Sequence, residues 1–231
     1  MADYFSNITI VVSRFNEKLN WMNEFPFNHF KYIVYNKGDN NNFEKKNVTK
    51  IINLENIGGC DHTYLHHIIE NYHNLTDVIV FLPGSLDIEY KKNKAIAIFK
   101  NIINSNYKKA FFHGSYTENL KNYFKNFELD NWNCSCIDNI IHNNNSELLK
   151  CKIRPYSAWY QYFFGNTNAH WYTFWGIFSI DKRDILQHPV TRYQHLILTI
   201  NKHIRPEAAH YIERSWGVIF YPLIHTEKIH E

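Results

Sequence analysis

A carboxylate near the end of the chain has the surroundings of a general base. Glu213 lies on a predicted helix that begins at Glu207, and the bulky Trp216 follows it by three residues. Partial desolvation by such a neighbour raises the pKa of a carboxyl group, which suits the group to accept a proton from a hydroxyl. A structural ion pair with Arg214 or Arg192 is the alternative interpretation.

Polar groups that suit a nucleotide follow two predicted strands. Arg14, Asn16 and Glu17 supply a cation, an amide and a carboxylate, which fit a phosphate, the edge of a base and ribose hydroxyls. Asn36 and Lys37 follow the next strand, where nucleotide-binding sheets place contacts to the base or the ribose. The alternatives are a helix-capping turn with a solvated arginine and a simple turn.

A glycine-rich turn precedes a predicted amphipathic helix and could bring backbone N–H groups close to a phosphate. Glycine allows a close approach of the backbone, and the positive end of the following helix dipole attracts an anion. An ordinary tight turn between a strand and a helix is the alternative. The candidate phosphate contacts in this region are Asn56, Gly58, Gly59, Asp61 and His62.

A short acidic motif comes soon after another predicted buried strand. Asp87 and Glu89 could hold a divalent ion, Mn²⁺ or Mg²⁺, against a diphosphate, because carboxylates are ligands of such ions. The alternative is an exposed turn beside Lys91 and Lys92. Asp87 is therefore a candidate contact to the phosphates, and the use of metal is left open.

Aromatic residues are dense between residues 156 and 175, where they could offer stacking faces to a sugar. Most of them are expected to be core residues. Trp175 and Gly176 are the best placed, because a glycine lets a substrate approach the backbone. Trp216, near Glu213 on the same predicted helix, completes the candidate sugar contacts.

The elements that must position these residues alternate between strands and helices along the first half of the chain. Such alternation indicates an α/β fold with a mostly parallel sheet flanked by helices, in which ligands bind beyond the carboxyl ends of the strands. The polar loops that follow the strands are therefore expected to converge. Strands are predicted at 8–12, 30–35, 49–54, 77–82 and 110–113, and a late strand with a bend at its glycine is predicted at 172–180. Helices are predicted at 17–24, 61–72, 91–104, 190–203 and from 207, and a polar loop at 142–147.

The composition describes a folded chain of ordinary charge. With 231 residues, 45% of them hydrophobic, the chain suits one domain at 1–231, with a nucleotide-sugar-binding half at 1–90 and an acceptor half at 91–231. The formal net charge of +3 is too small to indicate a nucleic-acid partner. The four cysteines lack a Cys-x-x-Cys pair and are expected to be free thiols. Neither a secretory signal nor a transmembrane segment is recognisable, so a cytoplasmic protein is expected.

Six segments in a fixed order carry a family likeness: VVSRFNE at 11–17, VYNKG at 34–38, NIGGCDHTYL at 56–65, VFLPG at 80–84, GIFSI at 176–180 and ERSW at 213–216. From the first to the last, they span residues 11–216, which is nearly the whole chain. They resemble a family of uncharacterised domains from fungi, bacteria and large DNA viruses, which itself looks like a branch of the GT-A glycosyltransferases. The resemblance implies a Rossmann-like GT-A fold and, for a viral member, a place in the host cytoplasm.

The chain departs from the family pattern at two places. Cys60 and Asp61 stand where the family usually has Arg-Glu, so a cation that could face a diphosphate is lost. Pro83 stands where the family often has Gln, so a side-chain amide is absent as well. These differences predict a nucleotide-sugar site that differs from that of the relatives.

The resemblance and the candidate residues together predict a hexosyl- or pentosyltransferase that moves a sugar from a nucleotide-sugar to a hydroxyl of a carbohydrate or glycan. Because GT-A enzymes often use an acidic residue on a late helix as the base, Glu213 is expected to serve an inverting transfer, with a retaining transfer as the alternative. A non-catalytic nucleotide- or carbohydrate-binding domain of the same fold is the second interpretation. A metal-dependent hydrolase built on the histidines of residues 62–67 is the third.

Overall fold

In the part of the chain that the structure describes, the larger of two sheets has five strands, four of them parallel. The structure is a computed structural model that describes residues 7–130 and 147–231. The strand order is β3-β2-β1-β4-β7, and only β7 runs antiparallel to its neighbour, β4. The strands are β1 (Ile8–Arg14), β2 (Tyr32–Asn36), β3 (Val48–Asn53), β4 (Val78–Pro83) and β7 (Phe178–Asp181).

A smaller sheet of three strands packs beside β7. Its order is β6-β5-β8, with β5 parallel to β8 and antiparallel to β6. The Ser179 hydroxyl joins the two sheets, because it accepts from the backbone N–H of Phe111 at 2.6 Å and donates to the Phe111 carbonyl at 3.1 Å. The strands are β5 (Phe111–Tyr116), β6 (Trp171–Tyr172) and β8 (Glu227–His230).

Seven α-helices connect and cover the sheets within the described ranges, and the expectation of a mixed α/β fold with a mostly parallel main sheet is confirmed. They are α1 (Gly59–Glu70), α2 (Glu89–Asn104), α3 (Leu120–Tyr123), α4 (Tyr156–Phe164), α5 (Lys182–Leu186), α6 (Val190–Ile197) and α7 (Glu207–Ile219). Two short 3₁₀ turns, Asn20–Asn23 and Phe27–His29, stand between β1 and β2.

Three sequence-based elements differ from the structure. The helix expected at 17–24 is only the 3₁₀ turn Asn20–Asn23, and the helix expected at 190–203 ends at Ile197. The strand expected at 172–180 is split into β6 and β7, because Trp175 and Gly176 both have positive φ and turn the chain between them. The predicted polar loop at 142–147 lies outside the described residues except for its last position, as do Cys134 and Cys136.

The central strands of the main sheet are buried on both faces because they are apolar on both faces. In β1, Val11 packs into a core with α1, α4 and α7, while Ile10 and Val12 point into a second core with α2 and the 3₁₀ turns. In β4, Phe81 belongs to the first core and its neighbours to the second. Such unbroken apolar runs are typical of the central strands of a covered parallel sheet.

Candidate functional site

The loops after β1, β2 and β4 meet at the carboxyl edge of the main sheet. The backbone N–H of Lys37 donates to the Arg14 carbonyl at 2.7 Å, and the N–H of Gly84 donates to the Ser13 carbonyl at 2.7 Å. The strand order reverses at β1, since β2 lies on one side of it and β4 on the other. The two hydrogen bonds confirm the expected convergence of the loops. In open α/β sheets, ligands bind at such a switch point.

Two glycines permit this close meeting. A Cβ atom at Gly38 would lie 1.7 Å from the carbonyl oxygen of Phe15, and one at Gly84 would lie 2.7 Å from a carboxylate oxygen of Glu17. Real Cβ atoms do not approach other atoms so closely. Glycine is therefore required at position 38, where the clash is with backbone, whereas a side chain at position 84 would displace the Glu17 carboxylate.

Arg14 is fully buried and binds the surrounding loops. Its guanidinium donates to the carbonyls of Phe15, Glu17 and Asn40 and to the side-chain oxygens of Asn36 and Asn40, at 2.5–3.0 Å. It also lies 4.4 Å from the centroid of the Phe43 ring. Burial lowers the pKa of the guanidinium, and the charge of Glu17 opposes this shift. The side chain is thus neither the solvated arginine of the capping-turn alternative nor open to solvent.

The other predicted side chains of these two loops divide between a buried brace and an accessible pair. The buried Asn36 amide donates to the carbonyls of Gly38 and Asn40 at 3.1 and 3.2 Å. Asn16 and Glu17 are half-buried. A carboxylate oxygen of Glu17 accepts from the backbone N–H of Phe15 at 2.7 Å, and Asn16 accepts from the amide of Asn40 at 2.7 Å. Asn16 and Glu17 therefore remain partly accessible, in contrast to the buried Asn36.

Lys37 ties the loop after β2 to the start of helix α1. Its ammonium is buried and donates to the carbonyls of Ile57 and Gly59 at 2.5 and 2.6 Å. Burial lowers its pKa to about 8, while the nearby Cys60 and Asp61 act in the opposite direction. Lys37 is therefore a cation that directly supports the amino-terminal turn of α1.

The glycine pair at the start of α1 adopts the left-handed conformation, with φ of 59° at Gly58 and 60° at Gly59. A Cβ atom at Gly58 would lie 2.6 Å from the carbonyl oxygen of Ile200, whereas one at Gly59 would meet open space. Asn56 is half-buried in the same turn. Gly58 therefore packs the turn against the protein, and Gly59 leaves the positive end of α1 accessible from outside.

Two carboxyl groups from distant parts of the sequence lie close enough to influence each other. Asp61, in the first turn of α1, is buried and accepts from the Trp216 indole N–H at 2.8 Å. Burial raises the pKa of Asp61 to about 8, and the charge of Glu213 adds to the shift. Asp61 therefore holds a proton near neutral pH, which keeps two adjacent negative charges from forming.

Glu213 has a neighbouring donor at each carboxylate oxygen and yet remains partly exposed. One carboxylate oxygen accepts from the backbone N–H of Trp175 at 2.8 Å, and the second lies 3.5 Å from a guanidinium nitrogen of Arg214. The side chain remains 19% exposed. Burial raises its pKa, and the charge of Arg214 opposes the shift most strongly. The alternative of a pair with Arg214 is thus partly realised, while Arg192 instead donates to the Val218 carbonyl.

Two lysines of α2 that sequence reasoning did not assign to the site lie close to Glu213. Both Lys91 and Lys94 lower the pKa of Glu213 through their charges. Lys91 donates to the Ser85 hydroxyl at 2.8 Å, and the buried Lys94 donates to the Thr173 hydroxyl at 2.8 Å and pairs with the Glu231 carboxylate. Their spacing of three residues, at the start of a helix that follows β4, is the signal that could have revealed them.

The predicted acceptor contacts have different environments. Trp175 is 37% exposed, and Gly176 is pressed against α1, since a Cβ atom there would lie 2.8 Å from the Cys60 sulfur. Trp216 is fully buried and offers no face to a sugar. We therefore retain Trp175 as the candidate acceptor contact. Gly176 is buried and packs against Cys60 and Tyr64 of α1, so the prediction that a substrate approaches the backbone there is not supported, and Trp216 orients Asp61.

The predicted metal ligands stand alone at the surface. Asp87 and Glu89 are both exposed, Glu89 as the first residue of α2. Within residues 7–130 and 147–231, no group of three or more His, Cys, Asp or Glu side chains is arranged to hold a metal ion. A metal bound by Asp87 and Glu89 would need further ligands from a diphosphate or from water.

His62 is buried beside Lys37 and is uncharged at neutral pH. Burial lowers its pKa to about 4, and the charges of Lys37 and His66 lower it further. Its Nδ1 atom is buried without a hydrogen-bond partner, and its ring lies parallel to that of His66 at a centroid distance of 6.2 Å. His62 could therefore contribute a hydrogen bond to a ligand, but no positive charge.

Comparison with known proteins identifies a family. Residues 10–230 match DUF3431, described as a protein of unknown function. The chain belongs to this family. No curated protein and no solved structure matches it. In the described part of this DUF3431 chain, no helix is both long and apolar enough to cross a membrane.

A cavity of about 670 Å³ in this DUF3431 protein lies apart from the predicted site. Its walls are mainly apolar, with Trp159 and Phe163 from α4 and Leu198 after α6, and Lys150 and Lys202 add positive charge. None of the candidate nucleotide or metal residues lines it, nor do Trp175, Gly176 or Trp216, although Trp159 and Phe163 belong to the aromatic stretch 156–175 that could offer stacking faces to a sugar. We place the candidate site at the switch point instead, because the raised pKa values of Asp61 and Glu213 and the converging loops occur there.

The pKa of Asp61 predicts how pH changes stability. In the unfolded chain Asp61 loses its proton near its ordinary pKa of 3.8, whereas in the folded protein it keeps the proton up to about pH 8. Folding therefore takes up a proton in this window, so the contribution of Asp61 to the free energy of unfolding falls as pH rises, by at most ~1.4 kcal/mol per pH unit.

Asp61→Asn keeps an oxygen that can accept from Trp216 and does not titrate. We expect the free energy of unfolding of the variant, minus that of the native protein, to increase steadily as pH is raised from about 5 to about 7. Urea denaturation at several pH values measures this difference, in which the shared effects of the histidines cancel. A difference that stays constant with pH would show that Asp61 titrates at its ordinary pKa.

Proposed function

We propose that the protein is a glycosyltransferase that moves a sugar from a nucleotide-sugar to an acceptor hydroxyl, with Glu213 as the base. The observation that carries the proposal is the position of Glu213, whose carboxylate lies beside Asp61 and the start of α1, close to the charges of Lys91 and Lys94. A base with a raised pKa close to two lysines at the switch point of the sheet is the combination that this transfer needs.

The proposed reaction uses Glu213 to accept the proton of the acceptor hydroxyl. The acceptor oxygen forms a bond to the anomeric carbon of the sugar as the bond from that carbon to the diphosphate oxygen breaks. The leaving nucleoside diphosphate takes the electron pair, so an inverting transfer needs no covalent intermediate. Because Asp61 is protonated near neutral pH, Glu213 can remain the one ionised carboxylate of the pair.

The leaving diphosphate is proposed to lie between the start of α1 and the start of α2. Gly59 opens the positive end of α1, and Lys37 and Lys91 add positive charge on either side. Asn16 and Glu17 would contact the base or ribose, since they lie at the accessible part of the β1 loop. The parallel sheet with one antiparallel strand supports a GT-A-like arrangement for this site.

A panel of nucleoside diphosphates tests the site directly. A ligand that binds only the folded state at 100 times its Kd adds about 2.7 kcal/mol of stability, which corresponds to a rise in Tm of roughly 5–10 °C for a chain of this size. We expect Lys91→Met to reduce this rise. Lys92→Met is the matched control, because the neighbouring Lys92 pairs with Glu24 at 2.9 Å. An equal rise in both variants, or none with any nucleotide, contradicts the proposal.

The same measurement separates the remaining alternatives. Mn²⁺ that strengthens the nucleotide effect in the native protein and not in Asp87→Ala assigns the metal to Asp87. Equal effects in both proteins remove that assignment. Nucleotide binding without hydrolysis or transfer of any nucleotide-sugar favours the non-catalytic binding domain over the enzyme.

A further inference from the structure

Trp175 is an exposed aromatic residue held in a conformation that such residues rarely adopt. Its φ is 66°, in the left-handed region, and the following Gly176 has a φ of 63°. A bulky side chain in this region is an outlier that persists only when the surroundings fix it, and such outliers cluster at ligand sites. The strained backbone of Trp175 therefore indicates a ligand site beside its indole.

The backbone around Trp175 is fixed by α1 and α7. The Tyr64 hydroxyl donates to the Gly176 carbonyl at 2.9 Å, and the Trp175 N–H donates to Glu213 at 2.8 Å. Phe178, the first residue of β7, pairs with Phe81 of β4. Trp175 is thus held beyond the carboxyl end of β4, directly beside the carboxylate of Glu213.

One side of the indole is supported by α2. The ring of Tyr90 lies 4.7 Å from it, centroid to centroid, and the Lys94 ammonium lies 5.2 Å from the ring centroid. Tyr90 and Lys94 are one turn apart on the same face of α2, so both of these contacts come from one stretch of that helix. Beside them, Trp175 remains 37% exposed.

We propose that the exposed part of the Trp175 indole forms an acceptor platform, a surface that stacks against a hexopyranose ring of a glycan and presents a ring hydroxyl to Glu213. The inference rests on the proposed function for the role of the bound sugar as acceptor. Sugar rings carry apolar C–H faces that stack on indoles, and their hydroxyls donate to carboxylates.

Saturation-transfer NMR without any nucleotide-sugar tests the platform, with methyl β-glucopyranoside as the probe. We expect the strongest saturation at the ring protons of one face. Trp175→Ala is expected to weaken binding roughly 10-fold and Trp175→Phe to weaken it less, since a smaller ring remains. Tyr116→Ala is the matched control, because Tyr116 is a half-exposed aromatic residue that stacks on His170 instead. Thermal unfolding of each variant confirms that it is folded.

Three results overturn the proposal. They are equal saturation in the native protein and Trp175→Ala, equal saturation of the acyclic sorbitol, and Trp175-dependent saturation of adenosine but not of the glucoside. Because the probe binds without a nucleotide, the outcome is independent of turnover. An absence of nucleotide binding and transfer would remove the proposed function while leaving a positive result for the sugar platform intact.

Discussion

Glu213→Gln is expected to lower kcat for sugar transfer by about 10²–10⁴-fold, the usual contribution of a general base. The amide cannot accept the hydroxyl proton, but its oxygen can still accept from the backbone N–H of Trp175, as the carboxylate does at 2.8 Å. Nucleotide affinity should therefore be retained. Turnover of the nucleotide-sugar identified by thermal stabilisation, together with the Kd of the corresponding nucleoside diphosphate, gives both quantities.

The pH dependence of the native enzyme adds a second readout for Glu213. Burial raises the pKa of Glu213, so kcat should fall as pH drops through a pKa above the ordinary value of 4.5. Glu227→Gln is the matched control, because Glu227 lies at the surface and pairs with Lys109. If Glu213→Gln turns over as fast as this control, another group is the base.

The buried parts of the fold could be predicted from the sequence, whereas the irregular segments could not. Strands β1 and β4 are apolar on both faces, which distinguishes them from amphipathic elements. The predicted helix at 17–24 was wrong because Leu19 has a left-handed φ of 60°, which a local apolar pattern does not reveal. Within the predicted strand at 172–180, Gly176 indicated only a bend. The complete break was missed because the left-handed φ of Trp175 also leaves no local pattern.

The candidate site was predictable where topology alone brings loops together. Parallel strands place the loops after β1, β2 and β4 at one edge whatever their side chains. The pairing of Asp61 with Glu213 depends on how α7 packs against α1, through the hydrogen bond from Trp216, and no local pattern encodes that contact. Lys91 and Lys94 were missed because lysines at a helix start normally face solvent.

Arg14→Met is expected to lower the free energy of unfolding by about 3 kcal/mol or more. The native guanidinium donates to five oxygen acceptors in the two segments at the carboxyl ends of β1 and β2, and methionine retains the apolar stem while removing all five hydrogen bonds. Each buried acceptor that loses its partner costs about 1–3 kcal/mol, although neighbouring losses are not additive. The shift of the urea midpoint measures the change.

Arg183→Met is the matched control for this experiment. Arg183 binds one carboxylate, that of Asp181 at 2.8 Å, and its side chain is 59% exposed, so its loss should lower stability by less than the loss of Arg14 does. The comparison decides between two roles of Arg14. A large loss of stability would show that Arg14 holds together the loops at the switch point of the sheet. Unchanged stability combined with lost nucleotide binding would instead assign the guanidinium to the phosphates, because a residue that contacts only ligand contributes nothing to folding without it.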